Sequence, residues 1–154
     1  MARISVVEKE RRKLEYDATI FSIFVEEGWN SLTYERLSQE LGLSKSTLQG
    51  YYPTRVHFGT ALEGKIFHIV ANAVDFSNQK TIRDSWNKGL ESDKLFLGAN
   101  EMMLHCSLSL DVNRVARTGR NNLVKKFSET MSVDEAENLA NLLLGDTVNY
   151  MLDR

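Results

Sequence analysis

The chain carries a single proline, Pro53, and no Asn-Gly turn, and its apolar residues recur at three- and four-residue steps almost from end to end. With hardly any sustained two-residue alternation to make strands, such a sequence buries its apolar side chains by laying helices against one another. An all-α chain is expected. A hydrophobic content of 42% over 154 residues supplies one ordinary core, or a small domain grafted onto a helical body.

The first helix is predicted over residues 6–27, where Leu14, Ala18, Phe21, Phe24 and Val25 make one apolar stripe and Gly28 stops the run as a left-handed cap. Thr33 caps a second helix over 34–40, which Leu41-Gly42-Leu43 breaks, and Ser44 caps a third over 45–52, which Pro53 ends. Thr54 opens a long fourth helix reaching Phe76. After a loop at Ser77-Asn78-Gln79-Lys80 come a weak helix over 82–90 and a helix opened by Ser92, with an apolar face running to Leu110. A helix over 112–127 follows, weakened by Gly119, and a last one from Val133 to Met151 begins at Ser132 and Glu135, spaced as a capping box.

Two short helices joined by a three-residue turn containing glycine make a helix-turn-helix, whose second helix enters the major groove of DNA. Leu37, Leu41, Leu43 and Leu48 lock the pair together, so Lys45, Ser46, Thr47 and Gln49 face outward. That face suits base edges: Gln49 can bond adenine in two places, Lys45 can reach guanine acceptors and Thr47 can touch a thymine methyl. Gly50 disfavours a helix by about 1 kcal/mol relative to alanine, which a close approach to phosphate explains. Residues up to Val74 carry 9 basic and 9 acidic side chains and the rest 10 and 12, so any nucleic-acid surface is a local patch. Arg3, Arg11, Arg12 and Lys13 offer such a patch, although Glu8, Glu10 and Glu15 sit among them and suit a solvated face.

The string Ala18-Thr19-Ile20-Phe21-Ser22-Ile23-Phe24, then Glu27-Gly28-Trp29, Thr33, Leu37, Gly42-Leu43-Ser44-Lys45, Thr47-Leu48 and Tyr51-Tyr52-Pro53-Thr54-Arg55 resembles the N-terminal domain of the TetR family of repressors. The resemblance spans roughly residues 14–62 without a gap. It implies that Lys45, Ser46, Thr47 and Gln49 face the bases, that Thr33, Tyr51 and Arg55 hold phosphates, and that an all-α body dimerises and holds a small-molecule pocket. Gln49 and Gly50 depart from the family habit, so the operator is this chain's own. His57 replaces an acidic residue and is expected to remove the capping partner of Thr54.

The resulting organisation is a helix-turn-helix head over 1–53, a connecting helix over 54–76, and a small dimerisation and effector body over 77–154 that pairs through its last two helices. Trp86, Phe96, Met102, Met103, His105, Cys106 and Phe127 are the candidates for lining an apolar effector pocket, although core packing explains the same spacing. Arg114, Arg117, Arg120, Lys125 and Lys126 form a basic segment suited to an acidic ligand, a partner protein or plain solvent. The lone Cys106 excludes an internal disulfide and suits a reducing cytoplasm, and no apolar run approaches the roughly 20 residues of a membrane helix. No cofactor, metal site or catalytic constellation is expected, because phosphate loops, metal-ligand spacing and an activated nucleophile are all missing from the sequence. Two functions remain: a homodimeric repressor released from a double-stranded DNA operator by a small apolar effector, and a DNA-binding adaptor of the same fold answering to a protein partner.

Overall fold

The computed structural model describes residues 3–154, and every regular element among them is helical. The helices are α1 (Val6–Glu27), α2 (Tyr34–Leu41), α3 (Lys45–Tyr51), α4 (Ile66–Ala73), α5 (Gln79–Ser92), α6 (Lys94–Ser107), α7 (Asn113–Phe127) and α8 (Val133–Asp153), with 3-10 segments at Trp29–Ser31 and Arg55–Leu62. No helix among the described residues is long and apolar enough to cross a membrane.

Side-chain caps set most of the helix starts. Ser5, Thr33, Ser44, Asn78 and Ser132 each accept a backbone N–H from three residues further on, satisfying a donor that the helix leaves orphaned. Asp93, not the expected Ser92, opens α6: its Oδ1 accepts the N–H groups of Leu95 and Phe96, both at 3.0 Å, and its charge meets the positive end of the helix. Asn78 and Thr81 exchange bonds in a capping box, which draws Gln79 and Lys80 out of the expected loop and into α5. The box expected at Ser132 is half formed, because the Glu135 carboxylate instead accepts from Gln79 Nε2 at 3.1 Å.

The long helix expected over 54–76 is not one element. Arg55–Leu62 winds as a 3-10 segment, Glu63 turns extended, Gly64 takes φ +80°, and α4 starts afresh at Ile66. The positive φ at Gly64 is a conformation that ends a helix and that a side chain would strain. Gly28 also departs from expectation, since φ 90° and ψ 172° are not left-handed helical, although its N–H still donates to the Phe24 carbonyl.

The stripe expected on α1 is rotated. Leu14 and Val25 are 70% and 43% exposed, while Ile20, Ile23 and Phe24 are buried. Apolar residues run nearly all round this part of α1, and the neighbours decide: the Arg55–Leu62 segment and the Trp29 turn cover the Ile20 and Phe24 side. Leu110 lies beyond the end of α6 and is 91% exposed, so it does not extend that helix's apolar face.

The core is a single apolar cluster running from Ile20 and Leu48 through Phe58, Trp86 and Met102 to Leu143. Helix α6 is its axle. It packs on α1, the Trp29 turn, the Arg55–Leu62 segment, α4, α5 and α7, and buries Phe96, Ala99, Met102 and Cys106 completely. Three glycines let neighbours approach: a Cβ at Gly59 would lie 2.5 Å from Cys106 Sγ, one at Gly89 2.7 Å from the Phe96 ring, and one at Gly119 would run into Met103 Cε.

Candidate nucleic-acid interface

The geometry of α2 and α3 follows from four local choices. Thr33 Oγ1 starts α2 by accepting from Arg36 N–H at 3.1 Å, and Gly42 ends it at φ 67°, ψ 28°, the left-handed cap that glycine takes without strain. Ser44 Oγ then starts α3 by accepting from Thr47 N–H at 3.1 Å. Leu37 and Leu48 are fully buried, and Leu41 and Leu43 pack at the edge of the same cluster. A second lock holds α3 from below: buried Tyr52 donates its hydroxyl to Asp17 of α1, whose carboxylate also takes Lys13 at 3.1 Å.

These anchors leave Lys45, Ser46, Thr47 and Gln49 exposed together on the outer side of α3. Among the described residues, Ser46 and Gln49 make no side-chain hydrogen bond; Thr47 Oγ1 touches Ser44 Oγ at 3.0 Å, and Lys45 Nζ rests 5.6 Å from the Tyr34 ring centre. The outer side of α3 is thus polar, and Ser46 and Gln49 on it are uncommitted. A Cβ at Gly50 would meet nothing within 4 Å, so no packing inside the protein requires glycine there.

The three residues expected at phosphates occupy different situations. Thr33 is half-buried and engaged in capping α2. Tyr51 packs edge-on against Tyr16 at 5.0 Å between ring centres, with no hydrogen-bond partner for its hydroxyl among the described residues. Arg55 is drawn inward: Nε donates to the Leu32 carbonyl at 2.8 Å, Nη2 donates to the Trp29 carbonyl at 2.6 Å, and the guanidinium lies 4.8 Å from the Trp29 ring centre. Burial lowers its pKa, as expected of a cation removed from water. Arg55 is a clamp between the Arg55–Leu62 segment and the Trp29 turn. His57, expected to leave Thr54 without a partner, replaces the acid in kind: its Nδ1 accepts from Thr54 N–H at 3.2 Å and lies 2.7 Å from Thr54 Oγ1.

Along α1 the basic cluster is mostly neutralised within its own helix. Glu8 takes Arg11 and Arg12, whose hydrogen bonds hold its carboxyl down to about 2, and Arg11 also reaches Glu15. Lys9 is the exception. It has no acid three or four residues away, and its Nζ leans over the Tyr51 ring at 5.2 Å from the centre. A run of basic residues does not single out Lys9; the missing carboxylate at helical spacing does.

The body holds a cavity of about 440 Å³ bounded by α4, α6, α7 and α8, with Trp86 of α5 also on its wall. Of the seven side chains expected to line an effector pocket, Trp86 and Met103 do so. Phe96, Met102, Cys106 and Phe127 are fully buried core, and burial pushes the Cys106 thiol up to about 11, which makes it a poor nucleophile at neutral pH. His105 turns the other way, toward α1 and α2: its Nδ1 accepts the Trp29 indole N–H at 2.7 Å, and burial, then the nearby Arg55 charge, lower its pKa. Beside it Glu101, 6% exposed, accepts from Asn30 Nδ2 at 2.7 Å and from Arg154 Nη1 at 2.8 Å. One side of α6 therefore faces the cavity while another grips the turn before α2.

No protein-family model matches the chain, and no curated protein sequence matches it significantly.

Proposed function

We propose that the chain is a sequence-specific DNA-binding transcriptional regulator of the helix-turn-helix kind, a homodimeric repressor released from its operator by a small molecule. The observation that carries the reading is the outer face of α3, where Lys45, Ser46, Thr47 and Gln49 stand exposed on a helix fixed by buried Leu48 and Tyr52. A rigid helix presenting donors and acceptors that the protein does not use for itself suits direct reading of base edges. Tyr51 and Lys9 flank that face and take the phosphate role, with Lys45 at its N-terminal end. Arg55 keeps the helices in place.

Homodimerisation is supported by α8, where Leu144, Val148 and Leu152 follow one another at four-residue steps and are 53%, 38% and 75% exposed, Leu144 and Val148 standing at the edge of the cavity as well. An apolar row of this kind is what a second copy of the same helix covers. The effector reading is favoured over the adaptor by the cavity, since a solid body would leave a small molecule nowhere to act. Helix α6 supplies the linkage: a ligand that prefers one placement of α6 shifts Glu101 and His105 against Asn30 and Trp29, and so shifts the two heads by its differential affinity. Repression follows from the resemblance of residues 14–62 to the TetR family. The test is a titration of the full chain against duplexes selected by it and against random duplexes, with Gln49→Ala in parallel. The reading predicts that Gln49→Ala loses selectivity more than affinity; equal losses on both duplexes would remove α3 as the reader.

A further inference from the structure

The cavity walls are almost wholly apolar in chemistry, because their polar atoms are already used. Trp86 Nε1 donates to Thr147 Oγ1 at 2.9 Å, Thr147 donates in turn to the Leu143 carbonyl at 2.8 Å, and Ser107 donates to the Leu104 carbonyl at 2.6 Å. Two features stand apart. Asn100, 8% exposed, donates its amide to the Phe96 carbonyl at 3.0 Å, while its carbonyl oxygen has no partner among the described residues. Arg117 and Arg120, one turn apart on α7, line the cavity with no acidic residue on its wall and no ion pair of their own. Their only hydrogen bonds among the described residues are long ones, at 3.4 Å, to Asn113 and Asn141. Of the other basic residues of the segment, Arg114 pairs with Glu63 and Lys126 with Glu129, while Lys125 makes no ion pair among the described residues and lies off the cavity wall.

From this we infer that the cavity binds an amphiphilic anion, an apolar chain or ring system ending in one carboxylate, with the chain against α4, α6 and α8 and the carboxylate held by Arg117 and Arg120. A volume of about 440 Å³ lies within the range of small-molecule sites. Paired guanidiniums one turn apart match the two oxygens of a carboxylate better than they match a neutral polar group. A cationic or uncharged molecule of the same shape would leave both charges unmatched. The site stands on its own geometry; that its occupant releases DNA rests on the regulator reading above.

The experiment is isothermal titration of the full chain with decanoate, decanol and decyltrimethylammonium, repeated for Arg117→Gln/Arg120→Gln and for Ala140→Leu, which narrows the cavity from α8. Circular dichroism checks that each variant is folded. Decanoate is expected to saturate at one molecule per chain and to bind about tenfold more tightly than decanol, the product of two exposed ion pairs of ordinary strength. The double arginine variant should bring decanoate to within threefold of decanol while leaving decanol unchanged, and Ala140→Leu should weaken both. No saturable binding of decanoate, binding no tighter than decanol, or a preference that survives loss of both arginines would overturn the assignment. The titration contains no DNA. A chain that binds decanoate but no duplex sinks the regulator reading alone, and a chain that binds duplex but not decanoate sinks this site alone.

Discussion

Replacing Arg55 separates two roles that the sequence leaves together. In the structure its guanidinium donates to the carbonyls of Leu32 and Trp29 and stacks on the Trp29 ring, so Arg55→Gln removes two charge-assisted hydrogen bonds and leaves two acceptors short of a partner. Hydrogen bonds from a charged group contribute about 1.5–3 kcal/mol each, and the returned solvation of a half-buried cation offsets part of their sum. The expected loss is about 2–4 kcal/mol of folding stability. Arg55→Lys should recover little of it, since an ammonium keeps the charge but cannot span both carbonyls as the planar fork does. Urea unfolding followed by far-ultraviolet circular dichroism gives both numbers, with an unchanged slope showing that the same surface is exposed. A loss below about 1 kcal/mol, together with uniformly weaker DNA binding and a shallower salt dependence, would show that Arg55 holds phosphate and that the clamp contributes little.

Further outcomes follow from the same contacts. Lys9→Gln should weaken binding to every duplex and reduce the salt slope by about one unit, whereas Lys45→Gln should weaken the selected duplex more than random ones, as anisotropy titrations at two salt concentrations read out. Gly89→Ala should lose about 1–2 kcal/mol because the new Cβ meets the buried Phe96 ring at 2.7 Å, outweighing its better helix propensity. Gly145→Ala, in α8 with nothing within 4 Å, should gain about 0.5–1 kcal/mol; thermal melts compare the two. The lowered pKa of His105 means that the unfolded chain binds its proton first. Its contribution is therefore complete above the ordinary histidine value of about 6.5 and is lost as pH falls toward the lower folded value. Unfolding curves between pH 5 and 8 should show this decline for the native chain and a flatter course for His105→Gln.

What the sequence made legible was local. Thr33, Gly42, Ser44 and Ser132 act on their own backbone neighbours, so their residue types and spacing located α2, α3 and α8 to within a residue or two. The outer face of α3 was legible for the same reason, since Leu48 fixes which side is inward. The connecting helix failed because the 3-10 course of residues 55–62 depends on how they lie on α1 and α6, which no local pattern records, although Gly64 is the residue type at which such a run can stop. The pocket failed in part because the apolar residues of α6 cover more than one of its sides, and their spacing does not say which side meets core and which meets a cavity. Arg55 was opaque in another way, for its partners are backbone carbonyls contributed by residues more than twenty positions away.

If α3 reads DNA, selection of bound duplexes from a random pool must show it. The native chain is expected to enrich one recurrent sequence of two related half-sites about one helical turn apart or a multiple of it, the spacing two paired heads would impose. The enriched sequence should change when Gln49 is replaced by alanine. No enrichment over the starting pool, by a folded chain at low salt, would contradict it.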